Sequence, residues 1–220
     1  MISFVNKHKV LLAKLLIVIG YGISIPGLWM MRHNPTVFQL SWVFTTLTLL
    51  LVLLFHKPFT LKFAAALIAV GVIGWVAEAI GTNTGVVFGD YTYGASLGVK
   101  IIGTPFAMLI NWIISVYLIT MILRPKISNI WRLGFAGAFL MVIYDILLEP
   151  VAVRLGMWSW GTTTTPPLQN YIAWYIISFP LIMLLARYVK KSQNPLVVLA
   201  FVSQLVFFTL LNLMIVFLEM

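Results

Sequence analysis

The sequence predicts an all-α, polytopic membrane protein with seven transmembrane helices and a cytoplasmic N-terminus. Three observations lead there. Of its 220 residues, 62% are hydrophobic and only 9% charged, against about 25% charged in a soluble domain. The apolar runs are long and continuous rather than alternating, so helices rather than a closed barrel satisfy the backbone in lipid. The basic residues alternate between the two sides of those runs. At roughly 20 apolar residues per span the length suits six to eight spans, and residues 1–220 read as a single heptahelical domain.

The spans follow in order. The first runs from about Leu11 to Met31, with Pro26 as a candidate kink. It carries Lys14 and has no small-residue cleavage site ahead of a soluble domain, so it is expected to be a retained span. The second covers about Thr36 to His56 and the third about Leu61 to Ile80. The fourth covers about Ile101 to Leu123. The fifth, about Trp131 to Val151, is expected to end or kink at Pro150. The sixth covers about Asn170 to Tyr188 and the seventh about Leu196 to Leu218.

This count sorts the charges. Lys7, Lys9, Lys14, Lys57, Lys62, Arg124, Lys126, Arg132, Arg187, Lys190 and Lys191 share the N-terminal side, and only Arg32, Lys100 and Arg154 lie opposite. Positive residues stay inside, so the N-terminal side is cytoplasmic and the chain is expected in a cell membrane, a bacterial inner membrane. The same sorting accounts for the net charge of +9 without a nucleic-acid partner. With no cysteine there is no disulfide, thiolate metal site or cysteine nucleophile. His8, His33 and His56 lie at different span ends without ligand spacing, so no metal site is expected. There is no GxSxG, phosphate-cradling or dinucleotide motif, and the seventh span has no Lys for a retinal Schiff base.

The acids are few and grouped. Glu78 and Asp90 lie between Gly74 and Trp112; Asp145 and Glu149 lie between Tyr144 and Trp174; Glu219 stands apart. The long loops, about 81–100 and 152–169, fall on the same side, so both acidic stretches approach from one membrane face. Gly71, Gly74, Glu78 and Gly81 share one helix face, either a packing seam or a surface open to a ligand. Asp145 and Glu149 share another face at a spacing where like charges repel. Arg154 and Lys100 are the basic candidates to pair with them, and a structural pairing of Glu149 with Arg154 is the plain alternative. Asp90 sits in a turn-like FGDYTYG, where bonding its own backbone is the simpler role.

Aromatic residues crowd these acids: Trp75, Tyr91, Tyr93, Trp112, Trp158, Trp160 and Trp174 among them. An interfacial belt suits Trp158 and Trp160 and suits the deeper Trp75, Trp112 and Trp174 less well. Asn111 and Asn170 add amides near span ends, where capping is the alternative. Together these groups suit acid chemistry on an apolar substrate without a cofactor. A carboxylic acid in an apolar site can protonate a carbon–carbon double bond, aromatic faces can stabilise the cation, and a second carboxylate can position water to capture it.

The run GWVAEAIGTNTGVVFGDYTYGASLGVKIIGTPFAMLINW resembles the carotenoid biosynthesis protein family of the CruF-like type. Glu78, Gly81, Thr82, Thr84, Gly85, Phe88, Gly89, Tyr91, Tyr93, Gly103, Pro105 and Trp112 match its first stretch. Asp145, Pro150, Gly156, Trp158, Trp160, Pro167, Asn170 and Trp174 match its second, so the likeness covers about residues 70–178. The resemblance implies a carotenoid 1,2-hydratase, a hydro-lyase adding water to the terminal double bond of an acyclic end group. Glu78 and Asp145 would be acid and base in either order, with Glu149 and Asp90 as second choices. Trp75, Trp112 and Trp174 would line the polyene channel. The implied partners are a hydrophobic carotenoid, membrane lipid and other enzymes of the pathway. A cyclase of the lycopene type shares the first protonation and remains an alternative, as do a small proton-coupled transporter and a non-catalytic scaffold.

Overall fold

The computed structural model describes residues 4–30, 41–161, 165–189 and 192–218. Among these residues the helices are α1 (Phe4–Met30), α2 (Ser41–Leu54), α3 (Leu61–Thr84), α4 (Ala107–Leu123), α5 (Ile130–Arg154), α6 (Leu168–Ala186) and α7 (Val197–Leu218). Five of them, all but α2 and α4, are long and apolar enough to cross a membrane, which makes the chain a multi-pass membrane protein. Arg32, His33, Lys190, Lys191 and Glu219, and the expected start of the second span, lie outside the described residues.

Helix α4, with 17 residues, spans about 26 Å at 1.5 Å per residue, less than the hydrocarbon core. It is apolar on every side, the mark of a helix buried all round. Trp112, Ile114, Val116, Tyr117, Leu118 and Ile119 have no exposed surface. The other helices turn their apolar outer faces away from it: Leu11, Leu12, Leu15 and Leu16 of α1 and Phe135, Phe139 and Ile146 of α5 are exposed, as lipid-facing residues are.

Small residues set the closest crossings. A Cβ on Gly74 of α3 would lie 2.2 Å from the Trp112 ring of α4, so only glycine admits that contact. Gly71, Gly74, Glu78 and Gly81 form one buried stripe of α3, as their spacing predicts. Helix α3 runs on past Ile80 to Thr84, where Gly85 in the left-handed conformation closes it with its N–H on Gly81 O.

Two boundaries differ from expectation. The fourth helix begins at Ala107 rather than Ile101, because Lys100–Ile101 (β2) and Thr104–Pro105 (β3) form a short hairpin first. The fifth does not end at Pro150 but continues to Arg154. Proline removes one backbone hydrogen bond there, and packing of α5 against its neighbours holds the helix on both sides of the loss.

The two long loops meet in an antiparallel ribbon, Tyr91–Tyr93 (β1) with Trp158–Trp160 (β4), so the fold is helical with small β additions. Tyr91 faces Trp160 and Tyr93 faces Trp158 in register. In both strands the aromatic residues are buried and the central residue is exposed. The exposed Thr92 and Ser159 hydroxyls bond each other at 3.2 Å. The ribbon thus roofs one end of the bundle with four inward aromatic side chains. At the other end Lys57 pairs with Gln193 and Arg124 donates to Ala186 O at 3.2 Å, gathering the basic connections there.

Candidate active site

Beneath the ribbon, α3 and α5 bring three carboxyls into the interior, and α6 brings the Asn170 amide beside them. Glu78, Asp145 and Glu149 are 3%, 0% and 2% exposed, and burying a carboxyl in a membrane bundle is costly enough to make the three a candidate site. Among the described residues their side-chain hydrogen-bond partners are all neutral, and most are aromatic.

Glu78 is held at both oxygens. Its Oε2 accepts from the Tyr91 and Tyr93 hydroxyls, each at 2.7 Å. Its Oε1 accepts from Trp112 Nε1 at 3.1 Å. Burial, then the charge of Glu78 beside them, push both tyrosine phenols above their ordinary range, so they stay O–H donors.

Glu149 accepts from Trp158 Nε1 at 3.2 Å and Trp160 Nε1 at 3.1 Å, both on Oε2. Its Oε1 has a long contact of 3.4 Å from Asn170 Nδ2. The same amide donates to Asp145 Oδ2 at 2.7 Å. Among the described residues Asp145 Oδ1 has no hydrogen-bond partner. Asn170 therefore links the two acids of α5 from the first turn of α6, rather than serving only as a cap.

A space of about 20 Å³ lies between these groups, lined by Glu78, Glu149, Asn170, Met108, Phe88, Tyr91, Tyr93, Trp158, Trp160 and Trp174. That is room for one water molecule with several polar partners. Trp112 stacks on Trp174 at 4.7 Å and 20° behind it. Tyr91 lies 5.3 Å from Trp160, and Tyr93 lies edge-on to Trp158 at 6.1 Å. The walls are aromatic faces, and the polar groups are two carboxyls, an amide and phenols.

The sequence-derived residues divide at this point. Glu78, Glu149, Tyr91, Tyr93, Trp158, Trp160, Asn170 and Trp174 line one space, with Trp112 bonded to Glu78. Asp145 lines no described cavity and reaches the site through Asn170. Asp90 stands outside the cluster: it is exposed, and its carbonyl accepts from Gly161 N at 2.9 Å to close the ribbon. Trp75 donates to Pro105 O at 3.2 Å and so fastens the β2–β3 hairpin to α3. Neither basic candidate pairs with the acids of α5: Lys100 bonds Tyr93 O and Arg154 is exposed. Aromatic N–H groups take that place because the ribbon folds over α5 and delivers them.

A second cavity of about 370 Å³ adjoins the first. It is lined mostly by apolar side chains of α1, α2, α4, α5 and α7, with Asn111 among them. Met108, Tyr21, Leu148 and Phe207 carry no motif and come from four helices, so no sequence signal singles them out.

Comparison with known proteins gives two results. A sequence model of the carotenoid biosynthesis protein family matches residues 37–220, reaching past the middle stretch through the last helix. A bisanhydrobacterioruberin hydratase from Haloarcula japonica is 30% identical over 119 residues, covering 50% of this chain and 40% of that protein. The match thus spans less than half of the relative's length. No solved structure matches the chain.

Proposed function

The chain belongs to the carotenoid biosynthesis protein family, and from that footing we propose that it hydrates the terminal 1,2 double bond of an acyclic carotenoid end group without a cofactor. The name of its Haloarcula relative supports the reaction type. The single observation that carries the reading is the water-sized space shared by Glu78 and Glu149 under aromatic walls.

Glu149 is the acid. Its Oε1 carries the proton toward the space, since its one amide contact is long at 3.4 Å. The alkene π pair takes that proton onto C2, which leaves a tertiary cation at C1. The negative charge left on Glu149 falls on an oxygen already facing two indole N–H groups, donors in place before the charge forms. The cation lies against the faces of Trp158, Trp160 and Trp174, an interaction of about 2 kcal/mol in a dry site.

Glu78 is the base. Three donors hold it as an oriented acceptor, and it takes a proton from the water whose oxygen bonds to C1. Return of that proton to Glu149 resets the site, and the net change is one water added. Asp145 is assigned a supporting role, holding Asn170 and through it the Glu149 carboxyl. Room for water beside Glu78 favours hydration over cyclisation, in which an internal double bond captures the same cation.

The experiment is pigment analysis by mass after expression in a lycopene-producing bacterium. A gain of one water supports hydration. An unchanged mass with a shifted absorption spectrum would replace it with cyclisation.

A further inference from the structure

As it stands, the space of about 20 Å³ beside the carboxyls has room for a water and not for a polyene end as well, so the substrate must rest elsewhere until that space widens. The cavity of about 370 Å³ is the right size for a small-molecule site. Its lining is apolar, with Tyr21, Phe44, Leu148 and Phe207 contributing large surfaces. Ile23 of α1 also lines it and is 66% exposed, so the cavity reaches the outer, lipid-facing surface of the bundle.

Two residues line both this cavity and the acid space, Met108 and Trp158. They form the partition between them. Trp158 is fixed, because its indole N–H is bonded to Glu149 at 3.2 Å and its strand pairs with β1. Met108 is in the first turn of α4, 4% exposed, with only its flexible thioether chain in the wall.

We infer that the larger cavity seats the end of an acyclic polyene entering from the lipid, and that Met108 is the movable wall that decides which end groups reach the carboxyls. The inference rests on the hydratase reading and adds to it a binding site and a specificity-determining residue. The rest of a long polyene stays in the bilayer, since the cavity holds only part of it. Methionine suits the position: its rotations open a path without breaking any polar contact. A planar, stiffer side chain there would close the path and leave the seat intact.

The test uses the full chain in lipid nanodiscs with lycopene. Lycopene is achiral, so a visible circular-dichroism band reports polyene seated in the protein and not polyene in lipid. Hydrated product is measured in parallel by mass. In wild type the band and the product both appear. In Met108→Phe the band persists with little change in affinity while turnover falls by about a hundredfold. The conservative Met108→Leu restores most of the turnover, which separates a blocked path from a damaged fold. Turnover of Met108→Phe at the wild-type rate overturns the inference and leaves the hydratase standing. Joint loss of band and turnover in Met108→Phe also overturns it. A wild-type band without hydrated product overturns the hydratase reading and leaves the seat standing.

Discussion

At the scale of single residues, the three buried carboxyls are not equivalent. Glu78 and Glu149 face one space, and Asp145 stands behind Asn170. Their roles predict different losses. Glu149→Gln keeps the shape and, with its amide oxygen facing Trp158 and Trp160, the two indole contacts at Oε2, but it cannot donate an acid proton, and Glu78→Gln cannot accept one. Each is expected to lower turnover by about a hundredfold or more, the usual worth of a positioned acid or base. Asp145→Asn is expected to lose less, because it touches neither the water nor the polyene. Hydrated pigment per unit of membrane-inserted protein measures all three. An Asp145→Asn loss equal to that of Glu149→Gln would move the proton donor to Asp145.

The limits of reading residues without their fold show here. The spacing of Asp145 and Glu149 puts both on one helix face, which is correct. It does not say which of them reaches the space under the ribbon. The two differ in height by about 6 Å along the helix, and the ribbon sits over the Glu149 end. The indole donors to Glu149 come from Trp158 and Trp160, residues that composition alone assigns equally well to an interfacial belt.

At the scale of elements, two contacts carry predictions. The α3–α4 crossing needs Gly74, where a Cβ would meet the Trp112 ring at 2.2 Å. Gly74→Ala is expected to destabilise the bundle by about 1–3 kcal/mol, the range for overpacking a tight contact. It should also lower turnover, because Trp112 donates to Glu78. Thermal unfolding in detergent and product analysis together check it, and an unchanged melting point would mean that the helices part at no cost.

The second contact lies at the opposite end from the site. His56 stacks on Phe63 at 3.9 Å and 4°, and its Nδ1 meets the Tyr117 hydroxyl at 2.8 Å. Asn194 donates to the same hydroxyl at 2.9 Å, so the clasp joins the segment after α2 to α4 and to the connection before α7. Burial lowers the His56 imidazole from 6.5 to about 4. Between those values the unfolded chain binds the proton and the folded one does not. The stability from the neutral ring is therefore full above about pH 6.5, and it falls as the pH drops toward 4. Melting temperatures across that window should fall in wild type and fall less in His56→Phe. Equal slopes would remove His56 from the pH dependence.

At the scale of the whole molecule, the charge pattern predicts orientation. The segments holding Lys57, Arg124 and Gln193 gather at one end, and the ribbon closes the other. If positive residues stay inside, the carboxyl site opens toward the outer half of the membrane. The chain has no cysteine, so single substitutions report directly. Ser128→Cys is expected to react with a membrane-impermeant thiol reagent only in opened cells, and Thr92→Cys in intact ones. The reverse pattern would invert the topology.

The sequence by itself determined the solvent this chain folds in, the helical class and most helix positions. It also determined that its acids concentrate in two stretches whose loops share one side. Those properties follow from composition and from the 3.6-residue period, which are local. It showed Y-T-Y and W-S-W as aromatic motifs, but not that they pair. Only the tertiary structure decided that the two loops zip together, that Pro150 stays within its helix, and that Glu149 rather than Asp145 shares the space with Glu78. It alone assembled the apolar cavity from five helices and placed Met108 in its wall. The reason is common to all of these. Each depends on the rotation and height of one helix against another, set by side chains that pack across long sequence separations, as Gly74 does against Trp112.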